Sequence, residues 1–227
     1  MPDTFESTTI LSGSHEHWRN RLPPAKESWP QSVKIAHQQI STNQSITVEQ
    51  GLNLFDEPNL HAIGELAHNI KTARFDQNVF FNSNVHINQT NICTLACRFC
   101  AFRRGRRAED AYALTIENYL EELDKYAQSV DEVHSVGALH PDWDVEYYAE
   151  LFKSVKQQHP KIHIKALTAV EVKHIAKLSK LDVRSLLNQL KKAGLGSLPG
   201  GGAEILDDEV RENICKGKET TAEYLEI

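Results

Sequence analysis

Three of the four cysteines of this chain, Cys93, Cys97 and Cys100, lie close together in the stretch T-N-I-C-T-L-A-C-R-F-C-A-F. Thiolates are soft ligands that suit iron-sulfur clusters, zinc and copper(I). Three thiolates on one short loop can hold a metal centre and leave one coordination position open. The spacing therefore predicts a metal centre that is able to do chemistry.

Other arrangements fit the same cysteines. On a helix they would share one face, where free cysteine packs as a small apolar side chain. Structural zinc takes four ligands, so the three thiolates would need a distant histidine or Cys215 as well. Disulfides are disfavoured, because three close cysteines with a lone fourth make no framework and few cysteines are typical of a reducing compartment. A noncatalytic zinc-binding module therefore remains an alternative.

The composition indicates a globular protein. The chain has 227 residues, 40% hydrophobic, and a formal net charge of −6, which argues against a general affinity for nucleic acid. No apolar run approaches the roughly 18 residues of a membrane span, and M-P-D-T-F-E-S-T-T lacks the layout of a signal peptide. We therefore expect a cytoplasmic protein with no membrane partner. The one basic run, Arg103 to Arg107, is either a solvated loop or supplies an arginine for a substrate carboxylate.

The sequence divides into three segments. Residues 1–45 are polar with little sustained periodicity and are predicted to be an N-terminal leader. Residues 46–78 are predicted to form helices, because Thr47 to Gln50 has the form of a capping box and apolar residues follow at helical spacing. From residue 79 the pattern alternates between strands, predicted near 79–90, 131–136 and 161–167, and helices, predicted near 115–129, 145–158 and 170–193.

This alternation predicts βαβ units and a parallel sheet. Each predicted strand carries a polar row opposite an apolar one; the polar rows are Asn84, His86, Asn88 and Thr90, then Glu132 and His134, then His163 and Lys165. Such rows fit an α/β fold of the TIM-like β/α barrel type, with helices packed outside and a polar lumen. A half-exposed sheet with water on its polar face is the alternative.

Several motifs together resemble the radical S-adenosylmethionine (radical SAM) superfamily. The C-x-x-x-C-x-x-C spacing after the first strand is its signature. More narrowly, H-I-N-Q-T-N-I-C, E-V-H-S-V-G-A-L-H-P, H-I-K-A-L-T-A-V-E and A-G-L-G-S-L-P-G-G-G-A-E-I-L are similar to the aminodeoxyfutalosine synthase family of menaquinone biosynthesis. Dehypoxanthine futalosine cyclase and the tyrosine-using synthase of the deazaflavin cofactor are close neighbours. T-A-V-E and N-I-C favour the first family, and P-G-G-G-A-E argues against the deazaflavin enzyme.

The resemblance implies a 4Fe-4S cluster on Cys93, Cys97 and Cys100, with S-adenosyl-L-methionine (SAM) on the fourth iron. It also implies a transferase that adds the 5'-deoxyadenosyl radical to an enolpyruvyl benzoate, 3-(1-carboxyvinyloxy)benzoate. Rearrangement onto the ring and loss of the carboxyl group would then give aminodeoxyfutalosine. An electron donor protein such as flavodoxin or ferredoxin would be the partner.

The segment after the second strand is a candidate cofactor site, since barrel enzymes place their sites at the carboxyl ends of strands. The family usually has paired glycines here, near the amino group of the cofactor, whereas this chain has Gly137 and Ala138. A methyl group at Ala138 is tolerable if φ is negative and costly if φ is positive, which puts cofactor affinity in question. His140 is either a catalytic proton donor or ordinary polar surface. Glu171 is either a catalytic and cofactor-binding residue or a first-turn helix carboxylate.

Other residues are candidates for substrate binding. His86 and Lys165 belong to the polar rows that would face the lumen. Pro199 to Glu204 contains three successive glycines, among them Gly201, which let backbone approach a ligand closely but lack the ending of a phosphate loop. Glu204 and Arg211 flank this run, although Arg211 could equally be a surface partner of a nearby aspartate.

The end of the chain predicts an incomplete barrel. T-T-A-E-Y-L-E-I reads as a cap and the first turns of a helix, and a full barrel takes roughly 250 residues. We therefore expect an N-terminal portion of a longer enzyme, with an exposed strand edge.

Overall fold

The computed structural model describes residues 14–227, which fall into two compact units with the boundary in the chain after Phe81. The first unit contains a 3-10 helix, Trp18–Arg21, followed by three α-helices. These are α1 (Gln31–Ser41), α2 (Val48–Phe55) and α3 (Leu60–Phe75). The predicted capping box is present, because the Thr47 hydroxyl accepts from the Gln50 backbone N–H and the Gln50 side chain accepts from the Thr47 N–H.

Helix α1 lies inside the segment that was predicted to be a polar leader without sustained periodicity, and this part of the prediction needs correction. The helix exists because Trp29, Val33 and Ala36 are buried against Ala62 and Leu66 of α3. Few apolar residues suffice for a short helix when they share one contact face. Residues 1–13 of the predicted leader lie outside the described residues.

The second unit, Asn82–Ile227, is a four-stranded parallel sheet in the order β1-β2-β3-β4. The strands are β1 (Asn84–His86), β2 (Glu132–Ser135), β3 (His163–Ala166) and β4 (Leu195–Ser197). The helices are α4 (Ile116–Asp124), α5 (Val145–Gln158), α6 (Ala169–Ser179), α7 (Val183–Ala193), α8 (Asp208–Ile214) and α9 (Thr221–Glu226). The predicted α/β alternation with a parallel sheet is confirmed.

The hydrophobic core lies between one face of the sheet and its helices. Val133 and Ile164 are fully buried and pack with Phe152 of α5 and Leu190 of α7. The polar residues of each strand point to the opposite face, called the lumen face below, because successive strand residues alternate between the two faces. The alternating pattern thus buries the apolar strand residues against the helices on one face of the sheet and places the polar strand residues on the other face.

The first strand is much shorter than the predicted 79–90. Phe81 is 91% exposed, and the chain after His86 bends into the loop that leads to the cysteines. Within residues 14–227, none of the helices is both long and apolar enough to cross a membrane.

Candidate active site at the carboxyl ends of the strands

The loop that carries the cysteines follows β1 and is tied to two other segments by backbone hydrogen bonds. Thr94 N–H donates to Leu139 O at 3.0 Å, in the segment after β2, and Arg98 N–H donates to Ile214 O at 2.7 Å, at the end of α8. Cys100 N–H donates to Cys97 O at 3.2 Å, which closes a tight turn between these two cysteines. The cysteine loop is therefore held at the carboxyl edge of the sheet rather than on a helix.

The cysteines are free thiols that share one neighbourhood. Cys93, Cys97 and Cys100 are half-buried, whereas Cys215 is buried. Burial raises the pKa of the Cys97 thiol, the positive charge of Lys218 lowers it, and the negative charges of Cys215, Cys93 and Cys100 raise it. Cys97 is therefore influenced by its two neighbours on the loop and by Cys215 at the end of α8.

The donor set fits an iron-sulfur cluster, because three half-buried thiols outside any disulfide are what such a cluster requires. Within residues 14–227, no three Cys, His, Asp or Glu side chains converge closely enough to hold a metal ion. Cluster binding would therefore draw the thiols of the loop together, and metal affinity would include that rearrangement.

The segment after β2 depends on glycine at one position and tolerates alanine at the next. A Cβ on Gly137 would lie 2.7 Å from the side-chain amide of Gln89, so a larger residue there would have to displace this buried amide. Ala138 is buried and lies outside the left-handed backbone region. Its methyl group therefore causes no backbone strain, and its effect on cofactor affinity stays a prediction.

Glu171 sits at the centre of a buried polar network. Its Oε1 accepts from Gly137 N–H at 2.9 Å, and its Oε2 accepts from Thr168 N–H at 2.8 Å and from the Thr168 hydroxyl at 2.9 Å. Gln89 Nε2 lies 3.4 Å from Oε1, and Ser135 Oγ lies 3.0 Å from Gln89 Oε1. The carboxyl group therefore fixes the segment after β2 to the start of α6.

Burial raises the pKa of Glu171 to about 7, and the bonds from Gly137, Thr168 and Gln89 oppose the rise. The predicted helix-capping role is present as a capping box with Thr168. Because both carboxyl oxygens are used within the protein, the geometry shows a positioning residue; its catalytic and cofactor-binding roles stay predictions. Sequence analysis missed Gln89, which lies between Asn88 and Thr90 of the first polar row, and Ser135, which follows His134 of the second.

His140 is buried rather than part of the polar surface. Its ring stacks on Trp143 with centroids 4.2 Å apart, and its Nδ1 lies 3.3 Å from Asp142 N–H. Burial lowers the pKa of His140, and the charges of Arg106 and His174 lower it further while Asp142 raises it. An Nδ1 that accepts a hydrogen bond leaves the proton on Nε2, so the ring has one N–H to offer.

Two of the three glycines of the run, Gly201 and Gly202, closely approach other protein atoms, whereas the space around Gly200 is open. A Cβ on Gly202, where φ is +100°, would lie 2.5 Å from Val170 Cγ2, and one on Gly201 would lie 3.2 Å from Thr168 Cγ2. The glycines therefore let this segment pack against the start of α6. The predicted substrate contact at Gly201 is not visible in this geometry.

Gly202→Ala is expected to destabilise the protein by about 1 to 3 kcal/mol. The added methyl group would collide with Val170, and the backbone at residue 202 has a positive φ, which alanine disfavours. The matched control is Gly105→Ala, where nothing lies within 4 Å of the added methyl group. Urea unfolding should show a clear loss for the first variant and a change within about 0.5 kcal/mol for the second. Equal stabilities would contradict the packing role of the run.

The Arg211 donors are all used inside the protein, which leaves none for a substrate, whereas the predicted substrate contact of Glu204 stays a prediction. Arg211 is buried, and its guanidinium donates to the carbonyls of Ala203, Ile205 and Glu219 and to the Glu219 carboxylate. It is therefore not a surface partner of an aspartate either. Glu204 forms an ion pair with Lys218.

The basic run behaves largely as a surface loop. Arg104 pairs with Asp110 and also donates to backbone carbonyls, and Arg106 pairs with Asp142. The other two predicted substrate residues, His86 and Lys165, are brought together on the lumen face, with His134 between them.

Comparison with known proteins finds a family whose sequence profile matches this chain. Residues 87–227 match the sequence profile of the Radical SAM superfamily. The chain is 37% identical over 182 residues to an aminodeoxyfutalosine synthase of Streptomyces coelicolor, which covers 78% of this chain and 46% of that protein. It is 40% identical over 162 residues to a 5-amino-6-(D-ribitylamino)uracil–L-tyrosine 4-hydroxyphenyl transferase of Methanopyrus kandleri, which covers 71% of this chain and 44% of that protein. The chain thus spans about half the length of these relatives.

A solved structure supports the fold. Methylornithine synthase (PylB) superposes with a TM-score of 0.62 at 17% identity, covering 83% of this chain and 53% of that one. At this identity the likeness concerns architecture, and it confirms the predicted β/α barrel of the radical SAM type, seen here in part.

Proposed function

This chain belongs to the radical SAM superfamily, and from that premise we propose that it is the part of an aminodeoxyfutalosine synthase that holds the cluster. The superfamily uses a 4Fe-4S cluster and SAM. The proposed reaction cleaves SAM with release of methionine and adds the 5'-deoxyadenosyl radical to the double bond of 3-(1-carboxyvinyloxy)benzoate. Rearrangement onto the ring and loss of the carboxyl group follow. Because the chain spans about half of its relatives, the activity, the substrate and an electron donor such as flavodoxin or ferredoxin are all part of the proposal.

The observation that carries the proposal is the loop of free, half-buried thiols at the carboxyl end of β1, inside the region that matches the family. Cys93, Cys97 and Cys100 would hold three irons. When bound, the cluster supplies the electron that cleaves SAM. A noncatalytic zinc module would not require a sheet edge and a polar face beside the thiols.

The protein residues around the loop would hold and orient the ligands. Backbone at Gly137 and Ala138 would lie near the amino group of SAM, in a segment fixed by Glu171. His140 would offer its Nε2–H to substrate or exchange a proton with it. The buried network below these residues would keep the segment rigid and exclude water.

The choice of reaction depends on two short strings, T-A-V-E and N-I-C. The aminodeoxyfutalosine synthase and the 4-hydroxyphenyl transferase are similar to this chain to about the same degree, 37% and 40% identical. Sequence identity therefore does not decide between the two reactions. The structure gives T-A-V-E a physical role, since Thr168 and Glu171 cap α6 and hold Gly137. That role supports a rigid cofactor segment in either enzyme.

The test is a product assay on the anaerobically reconstituted and reduced chain. One reaction contains SAM and 3-(1-carboxyvinyloxy)benzoate; the other contains SAM, L-tyrosine and 5-amino-6-(D-ribitylamino)uracil. We expect an adenosyl adduct by mass spectrometry only in the first. A product only in the second, or in neither, would refute the proposed reaction.

A further inference from the structure

The loop that carries the cysteines is closed at its base by the backbone of Arg104. The Arg104 N–H donates to Asn91 O at 2.7 Å, and the Cys93 N–H donates to Arg104 O at 3.1 Å. These two bonds form a parallel bridge between Ile92 and Arg104. The chain therefore leaves this bridge at Cys93, runs through the other two cysteines of the loop, and returns to the bridge at Arg104.

The Arg104 side chain folds back over the end of the same loop. Its Nη1 donates to the carbonyl oxygens of Ala101, Phe102 and Arg103 at 2.7, 3.3 and 3.0 Å. These three carbonyls come directly after Cys100 in the chain. One guanidinium thus fixes the direction in which the chain leaves the last cysteine, as a basic side chain near the end of a helix does when it binds the last free carbonyls.

Asn91 and Asp110 connect the closed loop to the segment that follows it. Asn91 is buried, its Nδ2 donates to Asp110 O at 2.9 Å, and its Oδ1 accepts from the Tyr112 N–H at 2.8 Å. The Asp110 carboxylate accepts from Arg104 Nε at 2.6 Å. Three segments, 91–93, 101–104 and 110–112, are therefore tied together at one place. We call Asn91, Arg104 and Asp110 the loop clamp.

The part of the loop beyond the clamp buries little apolar surface. Its exposed residues are Thr94, Ala96, Arg98, Phe99, Ala101 and Phe102. A segment with few buried apolar contacts is held mainly by hydrogen bonds and opens at low cost in free energy when these bonds are lost. Two backbone bonds, to Leu139 O and Ile214 O, tie the middle of the loop, whereas the clamp holds both of its ends. The clamp therefore controls how far the loop is ordered.

The ion pair within the clamp does not explain this order by itself. The side chains of Arg104 and Asp110 are 34% and 63% exposed, and an exposed ion pair contributes little to stability because water screens it. The bonds from the guanidinium to the carbonyls differ, because they are charge-assisted and their acceptors belong to the loop itself. Loss of the guanidinium should therefore loosen the loop much more than loss of the Asp110 carboxylate.

We propose that Arg104 is a positioning residue that orders the cysteine loop before the cluster binds. An ordered loop has given up part of its conformational freedom in advance, so the cluster binds at a lower cost in entropy. Arg104 acts through the Cys93 N–H and through the carbonyls that follow Cys100. This role lies inside the protein rather than at a substrate carboxylate. The inference rests on the proposed function only for the presence of the cluster.

The first test is hydrogen exchange, followed by NMR, of the full 227-residue chain without a cluster. Arg104→Met should raise the exchange rate of the Cys93 N–H by about tenfold, because charge-assisted bonds that close the loop are lost. The Ile87 N–H, which donates to His134 O in the sheet at 3.0 Å, should exchange as before. The matched control is Arg107→Met, at an exposed position of the same basic run, which should leave both rates unchanged.

The second test is the rate at which a chelator removes iron from the anaerobically reconstituted chain. Arg104→Met should release iron about tenfold faster than the unaltered chain. Arg104→Lys should give an intermediate rate, because lysine keeps a charged donor and loses the planar arrangement of the guanidinium. Asp110→Ala should stay within about threefold of the unaltered chain, since it removes only an exposed ion pair.

Three results would overturn the inference. One is an unchanged exchange rate of the Cys93 N–H in Arg104→Met. Another is an equal acceleration at Ile87, which would show that Arg104 stabilises the whole unit rather than the loop. The third is an effect of Asp110→Ala as large as that of Arg104→Met, which would assign the effect to the ion pair instead of the carbonyl contacts.

The two tests together separate this inference from the proposed function. If the unaltered chain takes up no iron while exchange at Cys93 depends on Arg104, the positioning role stands and the proposed function fails. If the chain takes up iron and sulfide while exchange at Cys93 is the same in Arg104→Met, cluster binding stands and the positioning role fails.

Discussion

Replacing Cys97 with serine is expected to abolish iron and sulfide incorporation during anaerobic reconstitution. Cys97 is the middle thiol of the loop, and its pKa is raised by burial and by the charges of Cys215, Cys93 and Cys100. A 4Fe-4S cluster with three protein ligands cannot spare one of them. Iron and sulfide analysis, together with the brown absorbance of the cluster, measures the loss.

The matched control is Cys215→Ala. Cys215 is buried and lies near the loop, but on a separate segment at the end of α8. We expect this variant to bind iron and sulfide as the unaltered chain does. If Cys215→Ala loses its metal as completely as Cys97→Ser, and the unaltered chain holds zinc without iron, the thiols form a four-ligand zinc site instead.

The stability of the protein should fall with rising pH because of Glu171. The pKa of this glutamic acid is about 7 in the folded protein against an ordinary value of 4.5, because it is buried. The folded state therefore holds the proton more tightly than the unfolded state. The resulting stabilisation is fully present below about pH 4.5 and is lost as the pH rises through about 7.

Urea unfolding of the unaltered chain and of Glu171→Gln at about pH 5 and about pH 8 isolates this effect. The unaltered chain should lose on the order of 2 to 3 kcal/mol more of its free energy of unfolding between the two pH values than Glu171→Gln loses. Comparison with the variant removes contributions from other groups, such as His140. Glu150→Gln, at an exposed position of α5, should keep the full pH dependence. The same pH dependence in Glu171→Gln would show that another group is responsible.

Local sequence patterns predicted the parallel sheet and the thiol loop, because these features depend on residues that are close together in the chain. Alternating polar and apolar residues predicted the parallel sheet with a polar lumen face, and cysteine spacing predicted the thiol loop after β1. Helix α1 was missed because its few apolar residues become a contact face only when Leu66 and Ala62 pack on them.

The remaining features depend on contacts between distant segments. Gln89 and Glu171 are 82 positions apart, and only the sheet brings them together. The glycine run was assigned to a ligand because the nearness of Val170 to Gly202 is tertiary. Arg211 was assigned to substrate because nothing local shows that its donors are all taken by the 203–219 segment. Sequence patterns predict which residues can do chemistry, whereas packing decides which of them are free to do it.

The most direct test of the central claim is electron paramagnetic resonance of the reconstituted and reduced chain, recorded without and with SAM. A cluster on Cys93, Cys97 and Cys100 with one open iron predicts the signal of a reduced 4Fe-4S centre that changes when SAM is added. An iron-free protein, or a cluster signal that SAM leaves unchanged, would contradict the account.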